Sequence, residues 1–296
     1  MQFSTIASGS SGNCLYAAND DTHILIDAGI SKKRIEQGLK SFGTEGTDID
    51  ALLVTHEHMD HIQGIGVWSR KYHVPIYGTR GTLEEIWRTK SLGKVDESLF
   101  HVIRPGETFQ INDMTIHPFS IPHDARDPVS YQIETADARI GTVTDLGYFD
   151  EAIIDELKDC DLLYVEANYD LHMLEVGPYP YQLKRRIAGN YGHLCNEMSG
   201  QLVGRLLNER LQQVILGHLS KENNFPELAL RAVQNELEEI FSDKEALISA
   251  LPQEMRQGLL SHYKTEVLNH EQDNYYSYRQ GQGRYYCNRM YISCGA

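Results

Sequence analysis

Short apolar runs alternate with amphipathic stretches along most of the chain. Residues 2–7 and 14–18 read as short strands, and residues 23–26 as a buried strand ending in Asp27, Ala28 and Gly29. Over residues 31–42, Ile35, Leu39 and Phe42 recur between charged positions, the spacing of a short amphipathic helix. The run Ala51-Leu52-Leu53-Val54 is another buried strand, after which Ile62, Ile65 and Trp68 return at helical spacing. A strand at 75–78, a helix near 81–90 and strands around 99–103 and 108–119 follow. Later strands end at Asp145, near Glu166 and at His218, with a helix over 197–208 between the last two. Residues 226–241 carry apolar side chains at 228, 230, 233, 237 and 240, again a helical spacing. Residues 242–270 read as further helix, and 289–294 as a final strand. Strands alternating with helices in this way predict a layered α/β fold. With no internal repeat and no long linker, residues 1–296 read as one domain, with 223–296 a helical extension closed by that strand.

Composition narrows the class. At 41% hydrophobic, 296 residues can bury a sizeable core. No apolar run approaches the roughly 18 residues of a membrane span. The opening Met1-Gln2-Phe3-Ser4 has no basic-then-apolar leader, so a cytoplasmic protein without a membrane partner is expected. Cys14, Cys160, Cys195, Cys287 and Cys294 are scattered and odd in number, which reads as reduced thiols, not a disulfide framework. No Cys-x-x-Cys pair is present to form a zinc ribbon. A net charge of −15 argues against nucleic-acid binding by bulk electrostatics. Two bound divalent cations would reverse that sign locally. The one compact basic run, Lys184-Arg185-Arg186, is either a solvated helix face or a grip on a phosphate backbone.

The chemistry concentrates at strand ends. Thr55-His56-Glu57-His58-Met59-Asp60-His61 places three imidazoles and a carboxylate directly after the strand at 51–54. That density of donors on a fixed loop is what a hydrolytic metal centre requires. Asp27, His123, Asp145 and His218 also follow strands, and loops at strand ends are where function is carried. A lone strand-end residue is commonly a turn feature; the repetition is what points to convergence on one sheet edge. Three further stretches are candidates for substrate contact. Ser10, Ser11 and Asn13 lie in the loop Ser8-Gly9-Ser10-Ser11-Gly12-Asn13, whose glycines permit close backbone approach. Asn168 and Tyr169 follow the strand at Glu166, and His193 precedes the helix at 197–208. Tyr275, Tyr276, Tyr278, Tyr285 and Tyr286, with Arg279 and Arg284, form a surface for stacking on bases or packing against a partner.

Taken together, strand-Asp27, His56-x-His58-x-Asp60-His61, His123, Asp145 and His218 resemble the metallo-β-lactamase superfamily over roughly residues 2–222. Ser8-Gly-Ser-Ser-Gly-Asn-Cys14, Leu25-Ile-Asp-Ala-Gly29, Pro122-His-Asp-Ala125, the stretch 180–186 and Gly217-His-Leu-Ser-Lys-Glu-Asn-Asn224 are similar to its YycJ/WalJ branch. The resemblance implies an αβ/βα four-layer sandwich, two divalent metal ions (zinc, or manganese or iron) and 5′-to-3′ exonuclease activity on DNA. It also implies that His56, His58 and His123 hold one ion, Asp60, His61 and His218 the other, and Asp145 bridges them. Asp27 would orient a ligand from behind. His193 matches a position able to donate a proton or touch substrate phosphate. Related sequences tend to carry His where Tyr169 stands, so a leaving-group role would pass to His193 or to Tyr169 itself.

Two cations roughly 3.5–4 Å apart lower the pKa of a bridging water to give hydroxide, and stabilise charge on phosphorus. Imidazole and carboxylate ligands suit zinc, manganese and iron alike. The leading expectation is therefore a metal-dependent nuclease or phosphodiesterase without an organic cofactor. A hydrolase of small esters, thioesters or phosphodiesters is the alternative, since fold does not set function. A non-catalytic binding module fits poorly with a complete ligand set. Oxygen-reducing relatives need a flavin domain for which the chain has no room, and a true β-lactamase is expected to carry a secretory signal.

Overall fold

The computed structural model describes residues 1–249, 277–279 and 289–292. The first sheet is built from β1 (Gln2–Ala7), β2 (Cys14–Ala18), β3 (His23–Ile26), β4 (Ala51–Leu53), β5 (Ile76–Thr79) and β6 (Phe100–Ile103). Helices α1 (Lys32–Ser41), α2 (Met59–Ile62), α3 (Ile65–Tyr72) and α4 (Arg80–Arg88) lie between these strands in sequence. The second sheet contains β7 (Phe109–Ile111), β8 (Met114–Ser120), β9 (Val129–Glu134), β10 (Arg139–Val143), β11 (Leu162–Glu166) and β12 (Gln213–Gly217). Helix α5 (Glu151–Leu157) separates β10 from β11, while α6 (Leu171–Val176), α7 (Tyr181–Ile187) and α8 (Asn196–Leu206) separate β11 from β12. After α9 (Pro226–Ser249), β13 (Ser277–Arg279) joins the first sheet and β14 (Arg289–Ile292) the second. The resulting orders are β13-β1-β2-β3-β4-β5-β6 and β14-β12-β11-β10-β9-β8-β7, seven strands each.

The central strands, such as β2, β4, β11 and β12, are buried on both faces, which is why they read as continuous apolar runs. Alternation still sorts their side chains. In β3, Ile24 and Ile26 face the other sheet, packing among Leu53, Met114, Tyr131, Ile140 and Ile215. Leu25 faces the opposite way, with Leu52 and Ile76, onto Ile35, Leu39, Ile65 and Trp68 of the helices. On the far side Leu163, Val165, Val214 and Leu216 meet Ile153, Leu157, Leu202 and Val233 of α5, α8 and α9. Each such buried Leu, Ile or Val contributes about 1.5–3 kcal/mol relative to exposure. The layers are therefore helix, sheet, sheet, helix, as the αβ/βα expectation requires.

Two differences from the sequence pattern have local causes. Residues 108–119 form a hairpin instead of one strand, because Asn112 adopts a left-handed φ of 48° between β7 and β8. Strand β9, which the pattern left unassigned, pairs antiparallel with both β8 and β10. The expected helix over 242–270 is described only to Ser249, and the tyrosine-rich stretch lies outside the described residues except at 277–279. Among the described residues no helix is long and apolar enough to cross a membrane.

What matters for chemistry is direction. Strands β3 to β6 run parallel, as do β10, β11, β12 and β14. All their carboxyl ends within a sheet therefore emerge on one edge, carrying Asp27, the histidine loop, Asp145, Glu166 and His218.

Candidate metal centre

The histidine loop is short because β4 turns almost at once into the single-turn helix α2. His58 is its N-cap, with extended backbone, and His61 N–H donates to the His58 carbonyl at 2.8 Å. The loop is pinned from beneath by β-strand neighbours. Asn13 N–H donates to the Asp60 carbonyl at 2.7 Å, and Gly29 N–H donates to the Asn13 carbonyl at 2.7 Å. A Cβ on Gly29 would stand 1.6 Å from the Asp60 carbonyl oxygen, so only glycine lets the two segments approach.

Two pockets of donor atoms meet at Asp145. His56, His58 and His123 offer three nitrogens within 4.8 Å of one another, and Asp60, His61 and His218 form a second such group. Asp145 lies between them: its Oδ1 is 3.6 Å from His123 Nε2 and 3.6 Å from His218 Nε2, and its Oδ2 is 3.3 Å from His61 Nε2. Three of these atoms, His56 Nε2, His218 Nε2 and Asp145 Oδ2, are buried without any hydrogen-bond partner. Buried polar groups are ordinarily paired, because leaving one unmade costs the full desolvation of that group. Buried donor atoms left unpaired in both groups fit the chemistry of bound divalent cations.

Carboxylates lie behind the second group. Asp27 accepts from His61 Nδ1 at 2.7 Å, from Thr55 N–H at 2.9 Å and from the Thr55 hydroxyl at 2.8 Å. Glu166, fully buried at the end of β11, accepts from His218 Nδ1 at 2.9 Å and His193 Nδ1 at 3.0 Å. It also takes the backbone N–H groups of Asp145, Leu146 and Leu194 at 3.0, 3.0 and 2.8 Å. These contacts fix which ring nitrogen of His61 and His218 faces the centre.

The electrostatics follow. Burial pulls the His61 imidazole down, but Asp145, Asp27 and Asp60 outweigh it and hold it well above the usual range. His218 is likewise lifted to about 10, burial being outweighed by Asp145, Asp60 and Glu166. Burial would raise Glu166, yet His193 and His218 bring it down to about 2. His56, by contrast, is held well below its ordinary value by burial and by the neighbouring His61.

Asp27, Asp145 and His218 adopt left-handed φ values of 62°, 58° and 55° immediately after their strands. Such conformations cost non-glycine residues on the order of 1–3 kcal/mol each. Each is held by a backbone N–H bond: Asp27 to the Leu53 carbonyl (2.8 Å), Asp145 to Glu166 (3.0 Å) and His218 to the Ser8 hydroxyl (2.6 Å). Strain concentrated at one edge, and held there by specific acceptors, marks the edge as a built site.

Strand-end residues 27, 56–61, 123, 145 and 218 are thus brought together, and His193 joins them, its Nδ1 3.6 Å from Asp145 Oδ1. Asn13 reaches the centre, its amide 3.0 Å from His61 Nε2, and Asn168 donates to the His218 carbonyl at 2.8 Å. Ser10 and Ser11 are exposed on the neighbouring loop. Tyr169 is buried against Leu174 and Cys195, with its hydroxyl pushed upward by burial. Lys184, Arg185 and Arg186 lie in the last turn of α7, and Arg186 pairs with Asp124. Glu166 is the residue that the sequence reading left without a role. Its signal was available: like Asp27 and Asp145, it is an acid ending a buried strand, and it is flanked in register by Gly217, next to His218.

Comparison with known proteins agrees with this geometry. A sequence profile described as the β-lactamase superfamily domain matches residues 22–210. The chain belongs to the metallo-β-lactamase superfamily. Within it the chain falls in the WalJ/YycJ branch. It is 39% identical over 237 residues to the exodeoxyribonuclease WalJ of Streptococcus pneumoniae, covering 80% of this chain and 88% of that protein. It is 34% identical over 241 residues to the exodeoxyribonuclease YycJ of Bacillus anthracis, covering 81% and 90%. Among solved structures, the metallo-β-lactamase fold protein YhfI from Bacillus subtilis superposes with a TM-score of 0.62 at 16% identity, covering 80% of this chain and 94% of that one. This metallo-β-lactamase-fold protein is a metal-dependent hydrolase, and divalent metal ions are implied by its fold and its His/Asp clusters.

Proposed function

We propose that the chain is a two-metal exodeoxyribonuclease that shortens DNA strands from the 5′ end. The observation that carries the reading is the pair of donor groups joined at Asp145, in a chain 39% and 34% identical to two exodeoxyribonucleases. His56, His58 and His123 hold one divalent ion, Asp60, His61 and His218 the second, and Asp145 serves both. Nitrogen-rich sets of this kind suit zinc, with manganese or iron as alternatives. Bound there, such ions supply a water of lowered pKa and neutralise charge developing at phosphorus.

The chain's own residues do the rest. Asp27 keeps His61 Nε2 facing the centre, and Glu166 does the same for His218. His193, whose imidazole burial pulls down but Glu166 lifts above its ordinary value, donates the proton needed by the leaving oxygen. Tyr169 is the weaker candidate, because its ring is packed away and its hydroxyl is a poorer acid for being buried. Asn13 touches what binds at the second ion, Ser10 and Ser11 line the adjoining loop, and Asn168 steadies His218. Lys184, Arg185 and Arg186 meet the strand's phosphates, giving local cations to a chain of net charge −15. Buried free thiols at Cys14, Cys160 and Cys195 accord with a cytoplasmic setting.

Metal analysis followed by assays on 5′-phosphorylated single-stranded DNA, duplex DNA and a small thioester tests the reading. Release of mononucleotides from the 5′ end is expected. Thioester turnover with no cleavage of any phosphodiester, in zinc or manganese, would transfer the assignment to small-molecule hydrolysis.

A further inference from the structure

We propose that Asp124 is an internal occupant of the substrate-phosphate subsite, holding Arg186 at the mouth of the centre until a phosphate group replaces it. The proposal takes from the nuclease reading only that the incoming phosphate belongs to a DNA strand. The carboxylate spans two unlike partners. Its Oδ1 lies 3.5 Å from His123 Nε2, a nitrogen that faces the first donor group, and 3.9 Å from the outer nitrogen, Nε2, of His58, whose Nδ1 meets His123 Nε2 at 3.3 Å. Its Oδ2 accepts from Arg186 Nε. An anion with one oxygen toward a metal pocket and another toward a guanidinium is the arrangement in which a phosphate ester would bind.

The two ends of this bridge are held by backbone, so the subsite persists when its occupant leaves. Asp124 N–H donates to the Tyr191 carbonyl at 3.0 Å, tying the His123 loop to the segment after α7. That segment is closed by His193 N–H to the Ile187 carbonyl at 2.9 Å and Gly192 N–H to the Gly189 carbonyl at 2.8 Å. The side chains themselves meet water: Arg186 is 57% exposed and Asp124 31%. Exposed ion pairs contribute little to stability, so exchanging this one costs the fold little. Arginine's planar fork matches a phosphate at least as well as a carboxylate. Asp124 would then do two things: it keeps a cation in place over an acidic surface, and it competes with substrate and product alike.

The test measures binding, apart from turnover. A 5′-phosphorylated, 3′-fluorescein hexathymidylate with phosphorothioate linkages is titrated against metal-loaded wild type, Asp124→Ala, Asp124→Asn, Arg186→Ala and Asp124→Ala/Arg186→Ala, with metal content measured for each. Inorganic phosphate serves as competitor. Removing the internal anion should tighten binding roughly two- to fivefold, the range an exposed pair sets. Arg186→Ala should weaken it and lower the salt slope by about one. In the double variant the gain from Asp124→Ala should vanish. Asp124→Asn, of the same shape, should show part of the gain. Unchanged or weaker binding by both Asp124 variants, or loss of metal from either, would overturn the proposal. Should wild type cleave no DNA while Asp124→Ala still binds inorganic phosphate more tightly, the nuclease reading falls and the subsite stands.

Discussion

His56, His58 and His123 sit on one side of Asp145, and Asp60, His61 and His218 on the other, but different groups lie behind them. On the first side His56 Nδ1 meets the Thr55 hydroxyl at 3.0 Å, and His123 Nδ1 meets the Gly192 carbonyl at 3.1 Å. Both partners are neutral, and burial holds the two imidazoles below their ordinary values. On the second side His61 and His218 are backed by Asp27 and Glu166, at 2.7 and 2.9 Å, and both are lifted. Histidine is thus used in two ways within one centre. The first side is a preformed nitrogen pocket in which burial disfavours the charged forms of His56 and His123. The second is a charged network in which protons occupy the places a cation will take, so its ion must displace them.

The largest expected effect breaks the second side at its own carboxylate. Asp60→Ala should remove one of two ions and abolish hydrolysis, leaving the three-histidine pocket loaded; metal analysis and an exonuclease assay check both. A fully active variant with both ions would sink the ligand assignment. Next comes Glu166→Ala, which leaves His218, His193 and three backbone N–H groups without their acceptor. Breaking a buried charged network typically costs about 3–5 kcal/mol, read by denaturant unfolding. Loss of a group behind a metal ligand weakens metal affinity by about 10–100-fold. Asp27→Asn should show the metal effect at the second ion with a smaller stability cost, since Asp27 backs only His61 and Thr55. Equal weakening of both ions in either variant would erase the distinction between the two sides.

How much of this was legible in the residues depends on what each signal encodes. Most strands and the longer helices followed from apolar periodicity, while β9 and the short helices α5 and α6 left no spacing that was read. The donor residues stood out because His and Asp at strand ends are dense and chemically distinctive. Glu166 was passed over although it ends a strand as Asp145 does, because its role comes from neighbours distant in sequence: His193, His218 and three backbone N–H groups. The Asp124–Arg186 pair, 62 residues apart, was invisible for the same reason. The hairpin at Asn112 needed knowledge of a left-handed φ that a single Asn-Asp step does not announce. Tyr169 shows the converse: a residue beside the site in sequence whose ring packs on Leu174 and Cys195.

The smallest effect separates the two sides by pH alone, in protein stripped of metal. His61 and His218 have folded pKa values above the ordinary 6.5, His218 at about 10. Their contribution to stability is fully present below about pH 6.5 and is lost as pH rises through the folded values. His56, depressed well below 6.5, acts oppositely: its contribution is present above that pH and is lost as pH falls. Chelated protein should therefore lose Tm progressively between about pH 6.5 and 10. His218→Ala should flatten the alkaline limb, and Asp27→Asn should flatten it in part. Metal-loaded protein should lack that limb, because imidazoles bound to metal are already neutral. Loading should also release protons chiefly with the second ion, seen as a buffer-dependent heat of binding. An alkaline limb of the same size with metal bound would show that the imidazolium network of the second side is not what titrates.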